Sequence, residues 1–306
     1  MNKIIVHPGA SHLDDFASCA ILIAHDAIYN NIEATSAAED WSIERRTPTP
    51  EELDQPYKST FVVDIGGVYD PARGLYDHHQ LPRGSRDCAM TLLASSLMMP
   101  GHTSLAPYEP AEPGKDLSFP AGSFAEVLAE LFPWFRVRAE LDSCGPFAAA
   151  KTRGVDWNAV VGFLGPFESL VLKVFETDPM RAVLPFAEAI VSKVRAFKAV
   201  KAAVRTTRPW WGDGDFVIVD FTAADPKEVE EISGALTPDN GVAVFHDNRG
   251  DGLTLLRLGD DPRVDFTRVK DNPEVAFCHA GGFVIKTKSK DLEKAWSLIE
   301  GAYQGK

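Results

Sequence analysis

Two short apolar runs, each ended by a polar residue and a glycine-bearing turn, constrain this chain more than any other feature. Ile4-Ile5-Val6 is followed by His7-Pro8-Gly9, and Phe61-Val62-Val63 by Asp64 and the turn formers Gly66-Gly67. Continuous apolar runs without alternation suit strands buried on both faces, as in a parallel sheet covered by helices on either side. After the first run, Ser11 stands as a helix N-cap ahead of an apolar-periodic stretch from Phe16 to Tyr29. Strand, loop and helix in that order predict an α/β fold with a mostly parallel sheet. In open α/β sheets ligands bind beyond the carboxyl ends of the strands, which is where His7 and Asp64 both fall.

Further along, Pro100 to Ser123 holds five prolines and three glycines with little periodicity, and reads as a long surface loop, either a lid or an insertion. Pro179 to about Arg208 is strongly helical in pattern, with Val194, Phe197, Val200 and Val204 on one face and Arg195, Lys198, Lys201, Arg205 and Arg208 on another. Short strand-like runs follow at Phe216–Phe221, Val242–Phe245, Leu253–Leu258 and Gly282–Lys286, with a last helix around Leu292–Tyr303. The expected organisation is a first domain over 1–178, a connecting helix over 179–208 and a smaller α/β domain over 209–306. The 306 residues suffice for two cores.

Charge and cysteine usage remove several classes. With 44 acidic against 31 basic side chains, the net charge of -13 argues against indiscriminate binding to long nucleic acid, whose affinity comes mostly from neutralised phosphates. Cys19, Cys88, Cys144 and Cys278 show no paired spacing, so neither a zinc ribbon nor a disulfide framework is suggested, and a reducing cytoplasm fits. The start, MNKIIVHPG, is too short in apolar residues for a signal-peptide core, and no run reaches membrane-spanning length.

The chemistry-bearing residues are His7, His12, Asp14, Asp64, Asp77, His78, His79 and Asp142, all in the first half of the chain. Imidazole and carboxylate together suit manganese, iron, cobalt or zinc, whereas magnesium and calcium sites draw on oxygen alone. Two such ions about 3.5 to 4 Å apart activate a water and clamp the attacking and leaving oxygens of a hydrolysed ester. By contrast His25, His102 and His246 stand alone and read as structural.

The stretch IIVHPGASHLDDFASCAILIA, followed by VVDIGGVYDPARGLYDHHQ, resembles the signature of the DHH phosphoesterase superfamily. Within it the chain is most similar to the melanocyte-proliferating-gene (Myg) family of metal-dependent hydrolases and exonucleases. Asp77-His78-His79 is the DHH triplet, His7, His12 and Asp14 match the first motif, and LDSCG, with Asp142, resembles the fourth. The resemblance implies two divalent ions, manganese in this family. One would be held by His7, His12 and Asp64, the other by Asp14, Asp64, His78 and Asp142, with Asp64 bridging. Asp15, adjacent to Asp14, stays open as the ligand in its place. His79 would contact the scissile phosphate or assist proton transfer, and Asp77 would orient a ligand histidine, since ligating histidines need a partner on the other ring nitrogen.

In the C-terminal part, VAFCHAGGFVIKTKS resembles the C-terminal domain of the Myg family, which in the wider superfamily supplies substrate contacts, and this implies His279, Gly281 and Gly282 as contacts to substrate. Gly281-Gly282 reads equally as a turn before a strand. Six basic residues from Lys193 to Arg208, with Trp210 and Trp211 beside them, suit either a nucleic-acid track or, the favoured reading, a solvated amphipathic helix. The expected function is therefore a metal-dependent phosphodiesterase acting on a nucleotide or short oligonucleotide. Hydrolysis of inorganic pyrophosphate or another small phosphoanhydride is the alternative within catalysis, and a non-catalytic metal-binding module the alternative outside it.

Overall fold

The computed structural model describes residues 1–54, 59–103, 107–156, 165–203, 207–210, 213–229 and 240–305; Val204, Arg205 and Trp211 lie outside them. Two compact units divide the chain, Met1–Ser192 and Lys193–Lys306.

The first unit begins with β1 (Asn2–Val6), α1 (Leu13–Asn30), α2 (Ala34–Ala38), β2 (Trp41–Arg45), α3 (Pro50–Asp54), β3 (Thr60–Val63), β4 (Tyr69–Asp70) and β5 (Leu75–Tyr76). The five strands form one sheet of order β2-β1-β3-β5-β4, parallel throughout except for edge strand β4. The expected mostly parallel α/β sheet is thus observed. Ile4, Ile5, Val6, Val62 and Val63 are fully buried, which explains their unbroken apolar pattern. From β1 the chain passes through α1 to β2 on one side, then returns past β1 to β3 on the other. The carboxyl ends of β1 and β3 therefore flank a topological switch point, the place where an open α/β sheet leaves a crevice.

Helix α1 is buried nearly all round, with Phe16, Ala20, Ile21, Leu22 and Ile23 at most 2% exposed, and it packs on α2 and on α4 (Ala89–Ser96). His12 is its N-cap, and Asn31 ends it in the left-handed conformation with an amide donating to Ala27 and Ile28 carbonyls. Helices α5 (Phe124–Leu131), α6 (Trp134–Cys144), α7 (Pro146–Arg153), α8 (Gly165–Thr177) and α9 (Pro179–Ala203) follow. Among its described residues the proline-rich segment 100–123 forms no helix or multi-residue strand. It is nevertheless fastened. The buried Asp87 carboxylate accepts from Tyr108 Oη at 2.8 Å, Ala111 N at 2.8 Å and Thr91 Oγ1 at 2.9 Å.

In the second unit β6 (Thr207–Trp210), β7 (Asp213–Asp220), β8 (Gly241–His246), β9 (Leu253–Leu258), β10 (Val275–Cys278) and β11 (Val284–Thr287) make a mixed sheet of order β10-β11-β9-β8-β7-β6, covered by α10 (Leu292–Ala302). Val242 and Val244, then Leu253 and Leu255, alternate onto one face against Ala295, Leu298 and Ile299 of α10. Helical pattern was expected to reach Arg208. Instead the described helix ends at Ala203 and Thr207 opens a strand that pairs with β7. Pairing with β7 from Thr207 onward, and Pro209, which lacks an amide donor, override the helical pattern at the end of that segment.

Candidate metal centre

Because β1, β3 and β5 run parallel, the residues that follow them emerge at one edge of the sheet. His7 follows β1, Asp64 follows β3, and Asp77-His78-His79 follows β5. The first turn of α1 adds Asp14 and Asp15, with His12 at its cap, and the last turn of α6 adds Asp142. Arg45, at the carboxyl end of β2, pins the β1–α1 loop by donating to Gly9 O at 2.6 Å and His7 O at 3.4 Å. Asp64 has φ 57°, a left-handed backbone that non-glycine residues seldom adopt, and is 2% exposed. Such an outlier, held by its surroundings, is a mark of a functional position.

The side chains converge around His78. Its Nε2 lies 3.1 Å from Asp142 Oδ2, 3.2 Å from Asp64 Oδ1 and 4.0 Å from Asp14 Oδ2. His12 Nδ1 is 3.9 Å from Asp64 Oδ2. Among the described residues three sets have ligand atoms within 4.8 Å of one another: Asp64 with His78 and His79; His12 with Asp14, Asp15 and Asp64; and Asp14 with Cys88 and Asp142. Asp64 belongs to two sets and Asp14 to two. His7 belongs to none of them; its ring stacks on His12 with centroids 5.9 Å apart. Asp15 and Cys88 are members that the motif reading leaves open or passes over.

A cation fits this donor set. Asp14 Oδ2, Asp15 Oδ1, Asp64 Oδ1 and His7 Nδ1 are buried atoms without a hydrogen-bond partner. Buried carboxylates are normally satisfied by donors or neutralised, because leaving them unpaired costs several kcal/mol, of the order of the desolvation penalty. Three of them side by side, each with an unpaired oxygen, call for positive charge.

Burial and like charge act on these groups in the same sense. Burial, then the charges of Asp142, Asp64 and Asp15, push the Asp14 carboxyl well above its usual range, although His78 opposes them. Burial and the charge of Asp64 push Asp15 up to about 8. For His78 burial works against the charged ring, but contacts with Asp142 and Asp64 override it and raise the ring to about 10. Protons thus stand in where cations would sit.

Asp77 behaves differently. Burial would raise it, but the amides of His79 and Gly67 and the His79 ring hold it below its ordinary value. Its Oδ1 accepts from His79 Nδ1 at 2.7 Å and from His79 N at 2.9 Å, and Oδ2 accepts from Gly67 N at 2.6 Å. The ring that Asp77 orients is that of His79, not His78. With Nδ1–H committed to Asp77, Nε2 is the atom His79 offers outward, from a side chain 59% exposed. A cleft of about 290 Å³ opens beside it, lined by His12, His78, His79, Arg83 and Asp142 among others.

His279, Gly281 and Gly282 lie in the second unit, in the turn joining β10 to β11. Gly281 N donates to His279 Nδ1 at 3.0 Å and Gly282 N to His279 O at 2.9 Å. Both glycine amides are therefore used inside the turn, and a ring that accepts at Nδ1 carries its proton on Nε2. Of the lone histidines, His25 meets Met98 O at 2.8 Å beside Phe124. Neither it nor His102 nor His246 joins a candidate metal set among the described residues.

Comparison with known proteins bears on the first unit. Residues 3–96 match the family model of the MYG1 exonuclease type, described as an uncharacterised protein family (UPF0160). The human MYG1 exonuclease is 37% identical over 78 residues, 26% of this chain and 17% of that protein, so the chain spans under a fifth of this relative's length. Among solved structures, a pGpG-specific phosphodiesterase, PggH, from Vibrio cholerae is similar over 100% of both chains, with 11% identity and a TM-score of 0.28. RecJ from Thermus thermophilus, solved with Mn2+, is similar over 98% of this chain and 51% of its own, with 13% identity and a TM-score of 0.25. At such scores neither likeness adds to the sheet order described above. No helix among the described residues is long and apolar enough to cross a membrane.

Proposed function

We propose, on the premise that residues 3–96 are Myg-like within the DHH phosphoesterases, that this chain is a divalent-metal-dependent phosphoesterase cleaving the phosphodiester bond of a nucleotide or short oligonucleotide. The observation that carries this reading is the meeting of His12 and Asp14 from one helix start with Asp64, His78 and Asp142 from three other places in the fold, with the buried Asp14 Oδ2 left without a donor. His12 and Asp64 would hold one ion, with His7 as the remaining candidate beside them; Asp14, Asp64, His78 and Asp142 would hold the other. When bound, two divalent cations, manganese by family resemblance, supply positive charge to the phosphate oxygens and make a water nucleophilic at neutral pH.

The chain's own residues do the rest. Asp64 would be the shared carboxylate, fixed by its left-handed backbone and by its amide N–H donating to Tyr76 O at 3.0 Å. Asp77 holds the His79 ring through Nδ1, leaving Nε2 as the atom placed to meet a phosphate oxygen as charge develops there. In the second unit His279, Gly281 and Gly282 are the candidate substrate contacts, and the Gly281 amide sets the His279 ring's position. The test is hydrolysis of a short RNA and of pyrophosphate, side by side, by metal-stripped protein resupplied with manganese, in parent and His79→Ala. Nucleotide release that collapses in the variant while metal content persists supports the reading. Phosphate from pyrophosphate alone replaces the substrate with an anhydride, and no activity on either leaves a binding module.

A further inference from the structure

We infer that Cys88 is a sulfur ligand to the cation held by Asp14 and Asp142, so that this half of the centre prefers cobalt, zinc or cadmium to manganese. The inference rests on the metal centre proposed above and specifies the chemistry of one of its ions. Cys88 Sγ, an Asp14 oxygen and an Asp142 oxygen lie within 4.8 Å of one another. Ligands of one ion, bound at about 2.0–2.3 Å, sit within roughly 4.5 Å of each other, so the spacing is close to that of a shared ion. Cys88 is fully buried, and Asp14, 3% exposed, contributes an Oδ2 with no hydrogen-bond partner. His78 Nε2 lies 3.1 Å from Asp142 Oδ2 but groups with Asp64 and His79 rather than with Cys88.

The local structure explains why the sulfur is there. Cys88 is the N-cap of α4, and Thr91 Oγ1 accepts from its amide at 3.1 Å, with the Thr91 hydroxyl donating to Asp87. Ser, Thr, Asp or Asn would cap better, so cysteine at this position gives up capping strength. A buried cysteine usually packs as a small apolar group, yet this one faces two carboxylates. Thiolate selects thiophilic ions over hard ones. On binding, the thiol proton leaves to solvent as the sulfur–metal bond replaces a water on the ion, so charge and atoms balance.

Cobalt reports the bond directly. Metal-stripped full-length chain is titrated with Co2+ and its absorption followed in parent, Cys88→Ser and Cys144→Ser. The parent and Cys144→Ser should show visible d–d bands together with a near-ultraviolet thiolate-to-cobalt band, and Cys88→Ser should keep the visible bands and lose the other. Serine is a favoured N-cap, so the variant folds, and circular dichroism checks it. In competition, Cd2+ affinity should fall at least about tenfold in Cys88→Ser while Mn2+ affinity holds. Visible bands in the parent with no charge-transfer band, or one that survives Cys88→Ser, overturn the sulfur ligand but leave the metal centre standing. Absence of all bands overturns both.

Discussion

Replacing Asp64 by asparagine separates the charge of the shared carboxylate from its shape. Asparagine fills the same volume and tolerates φ 57°, so the backbone should not suffer. In metal-free protein the change removes one of three clustered carboxylates and relieves Asp14 and Asp15, both of which Asp64 pushes upward. Its thermal midpoint should therefore equal or exceed the parent's. With manganese the order reverses. A cation at a hundredfold excess over its Kd stabilises the parent by about 2.7 kcal/mol, which at about 2–4 °C per kcal/mol for a unit of this size is a rise of about 5–11 °C. Asp64→Asn should show little of that rise. Asp64→Ala serves as the contrast: alanine in the left-handed region costs about 1–2 kcal/mol, so its metal-free midpoint should fall below both others. Differential scanning fluorimetry with chelator and with manganese reads all three proteins. The reasoning is refuted if metal-free Asp64→Asn melts as low as Asp64→Ala, or if it keeps the parent's metal-induced rise.

Other expectations follow from the same contacts. Asp15 is raised from 3.8 to about 8 and His78 from 6.5 to about 10, so metal-free folded protein holds protons that the unfolded chain has lost. Its stability should fall as pH rises, through Asp15 between about 4 and 8 and through His78 between about 6.5 and 10, most steeply where the two windows overlap. Metal binding at pH 7 should then release more than one proton, read by calorimetry in two buffers of different ionisation enthalpy. His79→Gln should lower kcat by about 10²–10⁴ with metal content unchanged, measured by steady-state kinetics and elemental analysis. Gly282, at φ 65°, has Asp265 Oδ1 where a Cβ would go, so Gly282→Ala should destabilise the second unit by more than about 1 kcal/mol in urea unfolding.

The strand-end residues of the centre are legible in sequence because a buried parallel strand leaves an unbroken apolar run and the chain then turns. That pattern places His7 and Asp64 at one sheet edge. Strands β4 and β5 have only two residues each and carry no period, so the sequence signals the triplet but not the strand that delivers it. Asp14 and Asp15 stay undivided in sequence because two adjacent acids at a helix start are separable only by the turn of the helix, and both join the same set with His12 and Asp64. Cys88 escapes because a lone cysteine carries no spacing. In the second unit β6 contains Pro209 and β10 is short and at the sheet edge, and both were invisible beside the alternating strands that build the core.

Metal content and turnover measured on the same samples test the proposed centre most directly. Metal-stripped parent and Asp64→Asn are equilibrated with manganese, dialysed, assayed for bound metal and offered a short RNA. Two ions per chain and nucleotide release in the parent, with both lost in the variant, is the result expected of a shared carboxylate in a hydrolytic two-metal centre. Nucleotide release by the parent that persists undiminished in Asp64→Asn, or that proceeds in metal-free protein, would contradict it.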